Sequence, residues 1–572
     1  MSNADRRSTR PGSLCRCQSA GTLSRRAVLG RAAALGLGGA ALATARAVAA
    51  PATARRRATH TRWQGDATTL TIASFGSASD LDPHSAYDYR STMAILGAYE
   101  GLIGLKDDKT EEYEPLIAES WEANADKSVW TFHIRPGVTF QDGTPCDAEA
   151  VRASFERFIT MGLGPVNVIT RFVEDPAQIT VPNPGTVVFD LGRPQPFFEA
   201  ALASTYGPLI VNTKRLKELE SDGDFGHAYA ETNAEGLGTG PYRIVEFEPG
   251  DILVMERNES YWRGWDGNHF ERIVIRTVPE DATRRQLIER GEADIVDNLV
   301  PEAIAALRGN PDVVIHQNTS TQIQYYIFTI ADPLTDPRAR QGLCYAFPYD
   351  DVINGAYGGL GKRAIGAVPE VLRGFAPDTF TYTTDLAKAK ELLAAAGITE
   401  GTKLSCALEV GDEKVNATTQ LFQANLAQIG ITLEIELMQT NSYMQLLYGE
   451  APPEERPNLL WWGWWPDYND AWNHLYPQIS CDAQGSQGSN AGFYCNQRVE
   501  ELLAQAKDAA TIEEYEQAVA EIQQIISRDD PPALYYIQPL WTTVLRADIQ
   551  GFFFNPINVG TFNFWKLSRA TS

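Results

Sequence analysis

The sequence predicts a mixed α/β (α+β) protein with several sheets, whose element count suits two lobes and an extra subdomain. The chain has 572 residues, enough for roughly three or four domains of ordinary size. Hydrophobic residues make up 44% and charged residues 21%, a balance typical of globular chains with a large core. Beyond residue 65, strand-like and helix-like runs mix throughout, without an internal repeat.

Strands are predicted where apolar residues alternate with polar ones or run together between turn residues. Leu70–Phe75 opens the folded part, and Val129–Arg135 alternates with period two before a Pro-Gly pair. Tyr242–Glu248 and Ile252–Glu256 form a predicted hairpin across a Pro-Gly-Asp turn.

Helices are predicted from their capping residues. Asp147 begins a helix that runs to Ile159, because a carboxylate oxygen accepts hydrogen bonds from the free amides of a first turn. The same reasoning predicts further helices from Asp281 to Arg290, from Thr384 or Asp385 to Ala396 with Gly397 beyond it, and two in sequence over Val499–Arg528.

Charge separates the first 50 residues from the rest of the chain. The net charge is −24 overall, +7 over residues 1–50 and −31 over the remainder. A body this acidic argues against nucleic acid or an anionic membrane surface as a partner, since both repel negative charge.

Residues 1–50 are predicted to be a twin-arginine signal peptide. Arg25-Arg26 precedes the apolar stretch Ala32–Thr44, and small residues then offer a cleavage site. Cys15 and Cys17 lie before the arginines, so neither occupies the position of a lipidated cysteine. We therefore expect a free extracytoplasmic protein, with residues 51–65 as a disordered lead-in.

Five cysteines remain after the signal peptide, and export permits disulfides among them. Cys481 and Cys495 flank a segment rich in glycine, serine and asparagine. A bridge here would stabilise the fold by about 3 kcal/mol through loop closure. The alternative is two unrelated buried thiols.

Catalytic and metal-binding motifs are not evident in the sequence. None of the seven histidines pairs at the spacing of a helical zinc site, and no G-x-S-x-G elbow occurs. Gly355–Arg363 is glycine-rich, but Arg363 stands where a phosphate loop needs serine or threonine. We expect a binding protein rather than an enzyme, without cofactor or metal.

The densest aromatic segment is residues 459–476, LLWWGWWPDYNDAWNHLY. A strand ending before Pro466 would place Trp462 and Trp464 on one face, with Trp461 and Trp465 nearer the other. Aromatic walls with few polar groups are typical of ligand clefts. We expect Trp464, Trp465, Asp467 and Tyr468 to face a cleft, and Trp461 and Trp462 to be core, although the whole strand could also be core.

Several further motifs stand in order along residues 66–570: Tyr99-Glu100-Gly101-Leu102, Pro115–Trp121, Trp130–Asp142, Gly238–Tyr242, Tyr261-Trp262 and Arg338–Phe347. With these motifs the chain resembles the dipeptide/oligopeptide/nickel-binding family of extracytoplasmic solute-binding proteins of ABC importers (family 5, cluster C). The resemblance implies a two-lobed fold of the periplasmic-binding-protein type II class, which closes on its solute and then docks on a membrane permease.

The resemblance also implies domain boundaries. Lobe I would be discontinuous and the other parts continuous. The expected ranges are 66–105, 236–319 and 536–572 for lobe I, 106–235 for the inserted subdomain, and 320–535 for lobe II.

Asp467 is the implied anchor, since it matches the aspartate that receives the α-ammonium group in the family's peptide binders. Phe75, Tyr325 and Tyr326 are added as cleft candidates because each lies at or near a strand end; on a strand, at most one of the two tyrosines faces ligand. The family's dipeptide binders hold the ligand carboxylate with an arginine, where this chain has Gly411-Asp412-Glu413-Lys414. Longer or cationic peptides are therefore favoured over dipeptides.

We thus expect a monomeric receptor for oligopeptides that delivers them to an ABC permease. An oligosaccharide is the first alternative ligand, because tryptophan platforms suit sugars equally well, and a metal chelate is a weaker one. The alternative from another class is an exported hydrolase with an aromatic groove.

Overall fold

The computed structural model describes residues 67–485 and 489–570. The predicted signal peptide, residues 1–50, and the predicted lead-in, residues 51–65, lie outside the described residues. In the described part, no helix combines the length and the apolar character needed to cross a membrane.

Twenty strands are found in the described residues. In chain order, β1 to β20 are Thr69–Ser74, Ile103–Leu105, Tyr113–Pro115, Ala118–Ala123, Val129–Ile134, Ile179–Asn183, Thr186–Asp190, Tyr242–Glu248, Ile252–Arg257, Arg272–Thr277, Ile295–Asp297, Val313–Thr319, Ile323–Phe328, Gly361–Arg363, Lys403–Glu409, Thr432–Met438, Leu459–Trp464, Ala533–Arg546, Ile549–Gln550 and Ser568–Arg569.

Sixteen α-helices accompany these strands in the same described ranges. In order, α1 to α16 are Tyr89–Ala98, Ala148–Met161, Asn167–Thr170, Phe198–Leu202, Thr213–Leu219, His227–Ala230, Asp281–Glu289, Pro301–Leu307, Pro337–Ala346, Tyr349–Asp351, Leu386–Ala395, Glu413–Gln428, Thr440–Tyr448, Ala471–Ile479, Gln497–Lys507 and Ile512–Gln524. Short 3₁₀ turns cover Pro176–Gln178, Pro453–Glu455 and Cys481–Ala483, and π-helical turns cover Val352–Ala356 and Ile525–Asp529.

Twelve strands join in one mixed sheet, in the order β16-β15-β17-β13-β18-β11-β1-β10-β9-β8, with β12 and β14 also paired to β18. The first sheet half comprises β1 and β8 to β12, and the second sheet half comprises β13 to β17. Strand β18 belongs to both: Ala533–Ile537 pairs with β13, and Leu540–Arg546 pairs with β12. The prediction of a mixed α/β fold with several sheets is confirmed.

The chain crosses between the sheet halves a second time at residues 320–322, between β12 and β13. The two crossings are bonded to each other. The Ser320 hydroxyl donates to the Pro539 carbonyl at 2.7 Å, and the Gln538 amide donates to the Ser320 carbonyl at 2.6 Å. Two short, mutually bonded segments therefore connect the halves.

A separate four-stranded sheet, β4-β5-β7-β6, lies in the segment between β1 and β8. It packs around its own apolar cluster, which includes Phe132, Phe155 and Phe189. The first sheet half is flanked by two further clusters, and the second sheet half by another two. The body thus has a separate core for the inserted sheet and for each side of each half.

Most of the predicted elements form as expected. The β8–β9 hairpin and the strand at Val129 are found, and Asp147 and Asp385 cap their helices. One detail was wrong: Asp281 is the first residue of α7 rather than its cap. Its carboxylate instead accepts from the Val300 amide at 2.8 Å.

The family-like motifs converge on Glu100, just after α1. Its buried carboxylate accepts hydrogen bonds from Thr239 Oγ1 at 3.0 Å, Tyr261 Oη at 2.7 Å and Trp262 Nε1 at 2.9 Å. Burial raises the pKa of Glu100, while these bonds oppose the rise. Gly238 permits the approach, since a Cβ there would lie 1.9 Å from the Ala98 carbonyl oxygen.

Candidate functional site

Asp467 lies three residues after β17, where the chain turns before α14. Two side chains hold its backbone. Its amide donates to Asn473 Oδ1 at 3.0 Å, and the Ser204 hydroxyl donates to its carbonyl at 2.7 Å. Because Asn473 lies in α14 and Ser204 follows α4, the Asp467 backbone is held by the helix that follows it and by the segment between β1 and β8.

The Asp467 carboxylate is buried, with 7% of the residue exposed. Tyr87 Oη donates to Oδ1 at 2.7 Å, and Asn473 Nδ2 donates to Oδ2 at 3.0 Å. Both donors are neutral, and within residues 67–485 and 489–570 no ion pair includes Asp467. The site therefore holds a buried carboxylate without a cationic partner.

Burial dominates the titration of this group. Loss of hydration raises the pKa of Asp467 to about 6, and the hydrogen bonds from Asn473 and Tyr87 partly oppose the rise. At neutral pH the carboxylate is still mostly ionised, and a cation beside it would be strongly favoured.

Four aromatic side chains form a partly exposed wall near Asp467. The Tyr89 ring lies 6.4 Å from Trp465, 5.4 Å from Trp541 and 6.4 Å from Phe75, between ring centroids. These residues come from α1, the segment after β17, β18 and the end of β1. The wall thus draws on both sheet halves.

The predicted tryptophans on this segment differ in their environment. Trp464 is 8% exposed and belongs to a core cluster of the second sheet half, whereas Trp465 is half-buried against Tyr89. The indole nitrogens of both are enclosed, and neither has a hydrogen-bond partner among the described residues. As predicted from strand alternation, Trp462 packs with Trp464, and Trp461 packs on the opposite face.

The remaining predicted site residues occupy more enclosed positions. Tyr468 is buried, and its hydroxyl accepts from Arg171 at 3.1 Å. Tyr325 and Tyr326 are 3% and 0% exposed and belong to core clusters on opposite faces of β13. Tyr326 Oη also lies 2.7 Å from Thr419 Oγ1. Such packing is typical of structural residues, and ligand contact at these three tyrosines stays a prediction.

The segment where dipeptide binders are expected to have an arginine begins α12. Asp412 caps this helix, and its carboxylate accepts from the Lys414 and Val415 amides at 3.0 Å. A capping carboxylate is stabilised by the helix terminus. Asp412 therefore has a local structural role.

Sequence reasoning missed the residues that complete the site from a distance. Tyr87, Tyr89 and Trp541 are far from Asp467 in the chain, so no local pattern could connect them. Asn473 is different, because it lies six residues after Asp467 inside the aromatic segment. A polar side chain in that segment was a usable signal.

Cys481 and Cys495 are paired as a disulfide, with their Cα atoms 4.8 Å apart. Cys146, Cys344 and Cys406 are free and buried. Among the described residues, no group of three or more histidine, cysteine, aspartate or glutamate side chains is arranged to hold a metal ion.

Comparison with known proteins places this geometry in a class. A family model described as bacterial extracellular solute-binding proteins, family 5 Middle, matches residues 112–486. The structure of the periplasmic binding protein DppA from Helicobacter pylori, in complex with the peptide STSA, superposes with a TM-score of 0.76 at 24% identity, covering 88% of this chain and 98% of that one. The fold is therefore the two-lobed fold of periplasmic binding proteins of type II.

Two curated relatives match along nearly their whole length. The Probable D,D-dipeptide-binding periplasmic protein DdpA of Escherichia coli K12 is 28% identical over 506 residues, covering 87% of this chain and 94% of the relative. The glutathione-binding protein GsiB of Salmonella typhi is 26% identical over 490 residues, covering 85% and 92%. The chain belongs to family 5 of the bacterial extracellular solute-binding proteins. It is an extracytoplasmic receptor, as predicted.

The raised pKa of Asp467 predicts a specific pH dependence of stability. In the unfolded chain an aspartate titrates near pH ~3.9, against about 6 in the fold. The folded state holds the proton more tightly, so this group stabilises the fold below both values and the contribution is lost as pH rises through 6. The unfolding free energy of Asp467→Asn minus that of the wild type should therefore increase by about 2–3 kcal/mol as the pH rises from 4 to 7.

Urea unfolding at pH 4, 5, 6 and 7 measures this difference. Asp378→Asn, at an exposed position in the same part of the chain, is the control and should follow the wild type. Parallel profiles for Asp467→Asn and the wild type would contradict the raised pKa.

Proposed function

We propose that the protein is a peptide receptor of an ABC importer, in which Asp467 accepts the free α-ammonium group of the ligand. The observation that supports this most directly is the buried carboxylate with only neutral donors, Tyr87 and Asn473. A buried charge without a counter-ion is unfavourable, and a ligand cation removes that cost. DdpA and GsiB, named for a dipeptide and glutathione, agree with a peptide ligand.

The surrounding groups are compatible with a peptide main chain. The indole N–H groups of Trp464 and Trp465, which have no partner among the described residues, can donate to peptide carbonyl oxygens. The aromatic wall offers contact area with little side-chain entropy to lose. Affinity then comes from the charged anchor and the main chain, so side-chain selectivity is expected to be broad.

The decisive prediction concerns the amino terminus of the ligand. Replacing Asp467 with alanine should weaken binding of a free-amine peptide by about 30-fold or more, because breaking a buried charge pair costs ~2–5 kcal/mol. Isothermal calorimetry at pH 7.5 with D-Ala-D-Ala, L-Ala-L-Phe, glutathione and Ser-Thr-Ser-Ala measures this. N-acetylation of each peptide should reproduce the loss in the wild type.

The control Asp378→Asn should bind like the wild type. Xylo- and cello-oligosaccharides form a second panel. Binding of sugars alone, insensitive to Asp467→Ala, would replace the peptide by the oligosaccharide alternative. Release of cleaved product from either panel would favour the hydrolase alternative.

We further propose that the lobes divide as expected from the resemblance: residues 66–105, 236–319 and 536–572 in lobe I, 106–235 in the inserted subdomain and 320–535 in lobe II. The two mutually bonded crossings near Ser320 and Pro539 support a hinge there. Closure needs a ligand that binds the closed form better than the open form. A ligand that is bound to Asp467 in lobe II and also contacts the wall residues of lobe I, such as Tyr89, meets this condition.

Lobe closure should be visible by small-angle X-ray scattering. A saturating peptide from the panel should reduce the radius of gyration of the wild type, while the same concentration leaves Asp467→Ala unchanged. An identical radius with and without a bound peptide would contradict closure on ligand.

We propose that Cys481–Cys495 is oxidised in the exported protein. The double substitution Cys481→Ser with Cys495→Ser should lower the unfolding free energy by about 3 kcal/mol, because the bridge closes a loop in the unfolded chain. Peptide mapping by mass spectrometry, with and without reductant, tests the bond. Cys146→Ser, at a free buried cysteine, controls for loss of a buried sulfur. Finding both thiols alkylated without reductant would contradict the bridge.

We propose export through the twin-arginine signal in residues 1–50, followed by action as a free monomer with a membrane permease and no nucleic-acid partner. Replacing Arg25 and Arg26 with lysine should retain the protein inside the cell, measured by fractionation in a host with twin-arginine export. Replacing Arg6 and Arg7 with lysine is the matched control and should not block export. Equal export of both variants would refute the assignment.

A further inference from the structure

Arg90, the second residue of α1, is a cation without a carboxylate partner. Its guanidinium carbon lies 4.3 Å from the centroid of Phe75 and 5.0 Å from that of Tyr89. The Nε atom is enclosed and has no hydrogen-bond partner in the described part of the chain, and no ion pair there includes Arg90. Carboxylates are abundant in a chain with a net charge of −24, yet none in the described residues forms an ion pair with Arg90.

The backbone beside Arg90 leaves room for the guanidinium. A Cβ atom on Gly76 would lie 2.3 Å from Arg90 Nε and 2.7 Å from its Cδ. Any side chain at Gly76 would therefore displace the arginine. Stacking on Phe75 supports the face of the guanidinium and leaves N–H groups at its edge free to donate.

Arg90 and Asp467 belong to the same site. Tyr87, three residues before Arg90, donates to the Asp467 carboxylate at 2.7 Å. Tyr89, the neighbour of Arg90, contacts both Trp465 and Trp541. One wall thus presents an unpaired cation, and the adjoining turn presents an unpaired anion.

Further hydrogen-bond donors near this wall have no partner among the described residues. Besides Trp464 and Trp465, the amide nitrogen of Asn318 is enclosed without a partner. Asn318 lies opposite Trp541 in the β12–β18 ladder. These donors and a guanidinium that makes no ion pair in the described residues favour a ligand group rich in acceptor oxygens.

We propose that Arg90 binds the carboxylate of the ligand, so that the receptor takes zwitterionic peptides with a free carboxyl terminus and recognises both ends. This rests on the proposed function, because it places the ammonium group at Asp467. It also reverses the expectation drawn from Gly411–Lys414, since the carboxylate partner comes from α1 in lobe I.

A competing role for Arg90 is structural: its positive charge would offset the buried Asp297 carboxylate. That carboxylate accepts from Ser74 Oγ at 3.0 Å and the Phe75 amide at 3.1 Å.

The test uses three peptides, D-Ala-D-Ala, L-Ala-L-Phe and L-Ala-L-Ala-L-Phe, each as free acid, C-terminal amide and N-acetyl acid. Calorimetry compares the wild type with Arg90→Gln, Arg90→Lys and Arg272→Gln, the last at an exposed arginine of β10. For peptides that bind, the wild type and Arg272→Gln should prefer the acid over the amide about tenfold or more. Arg90→Gln should abolish this preference by weakening binding of the acid at least tenfold more than binding of the amide, and Arg90→Lys should restore part of it.

The outcomes separate the two proposals. If acetylation weakens binding but amidation does not, Asp467 recognition stands and the role of Arg90 is overturned. If Arg90→Gln weakens acid and amide equally and lowers the melting temperature, Arg90 supports Asp297 and the inference fails. If no peptide binds the wild type, the proposed function and the inference fail together.

Discussion

The pairing of β18 with strands of both sheet halves is the constraint on which the rest of the structure depends. Its first part completes the ladder beside β13, and its second part completes the ladder beside β12. The same strand brings Trp541 to the aromatic wall. Strand β14 pairs with β18 at Gln538 and Pro539, between the two ladders, and side-chain bonds join Ser320 to the same stretch. The halves are therefore connected only by short bonded segments near Ser320 and Pro539. The aromatic wall, which takes residues from both halves, is held in place by this arrangement.

The region around Asp467 contains several polar groups without the partners that most buried polar groups have. Among the described residues, the Asp467 carboxylate has no cationic partner, Arg90 makes no ion pair, and the Trp464 and Trp465 indoles have no acceptor. Burying a polar or charged group without a partner costs free energy of folding. Under the proposed function, a peptide with complementary groups would remove that cost, so affinity would be obtained at the expense of the stability of the free protein.

Local sequence patterns predicted the fold class and most helix and strand positions, since capping residues and alternation act over a few residues. The strand before Pro466, the Asp147 cap and the hairpin at Tyr242 are examples. Of the candidate site, only the segment around Asp467 could be predicted from the sequence. Asp467 stood out by its aromatic context. Tyr87 and Arg90 lie in a segment with no such pattern, and Tyr87 meets Asp467 only because the start of α1 packs against the turn after β17. Tyr325 and Tyr326 were chosen only because they lie near a strand end. That local criterion cannot distinguish a residue that faces the core from one that faces a ligand.

The hydrogen bond between Tyr87 and Asp467 joins residues 380 positions apart in the chain. Contacts of such long range form late, because the intervening loop must be ordered first. This contact accordingly needs nearly the whole chain: a polypeptide that ends before Asp467 has neither the carboxylate nor Asn473, which donates to it. Under the proposed function, a nascent chain that has not yet reached Asp467 has no carboxylate at this site to offer a peptide.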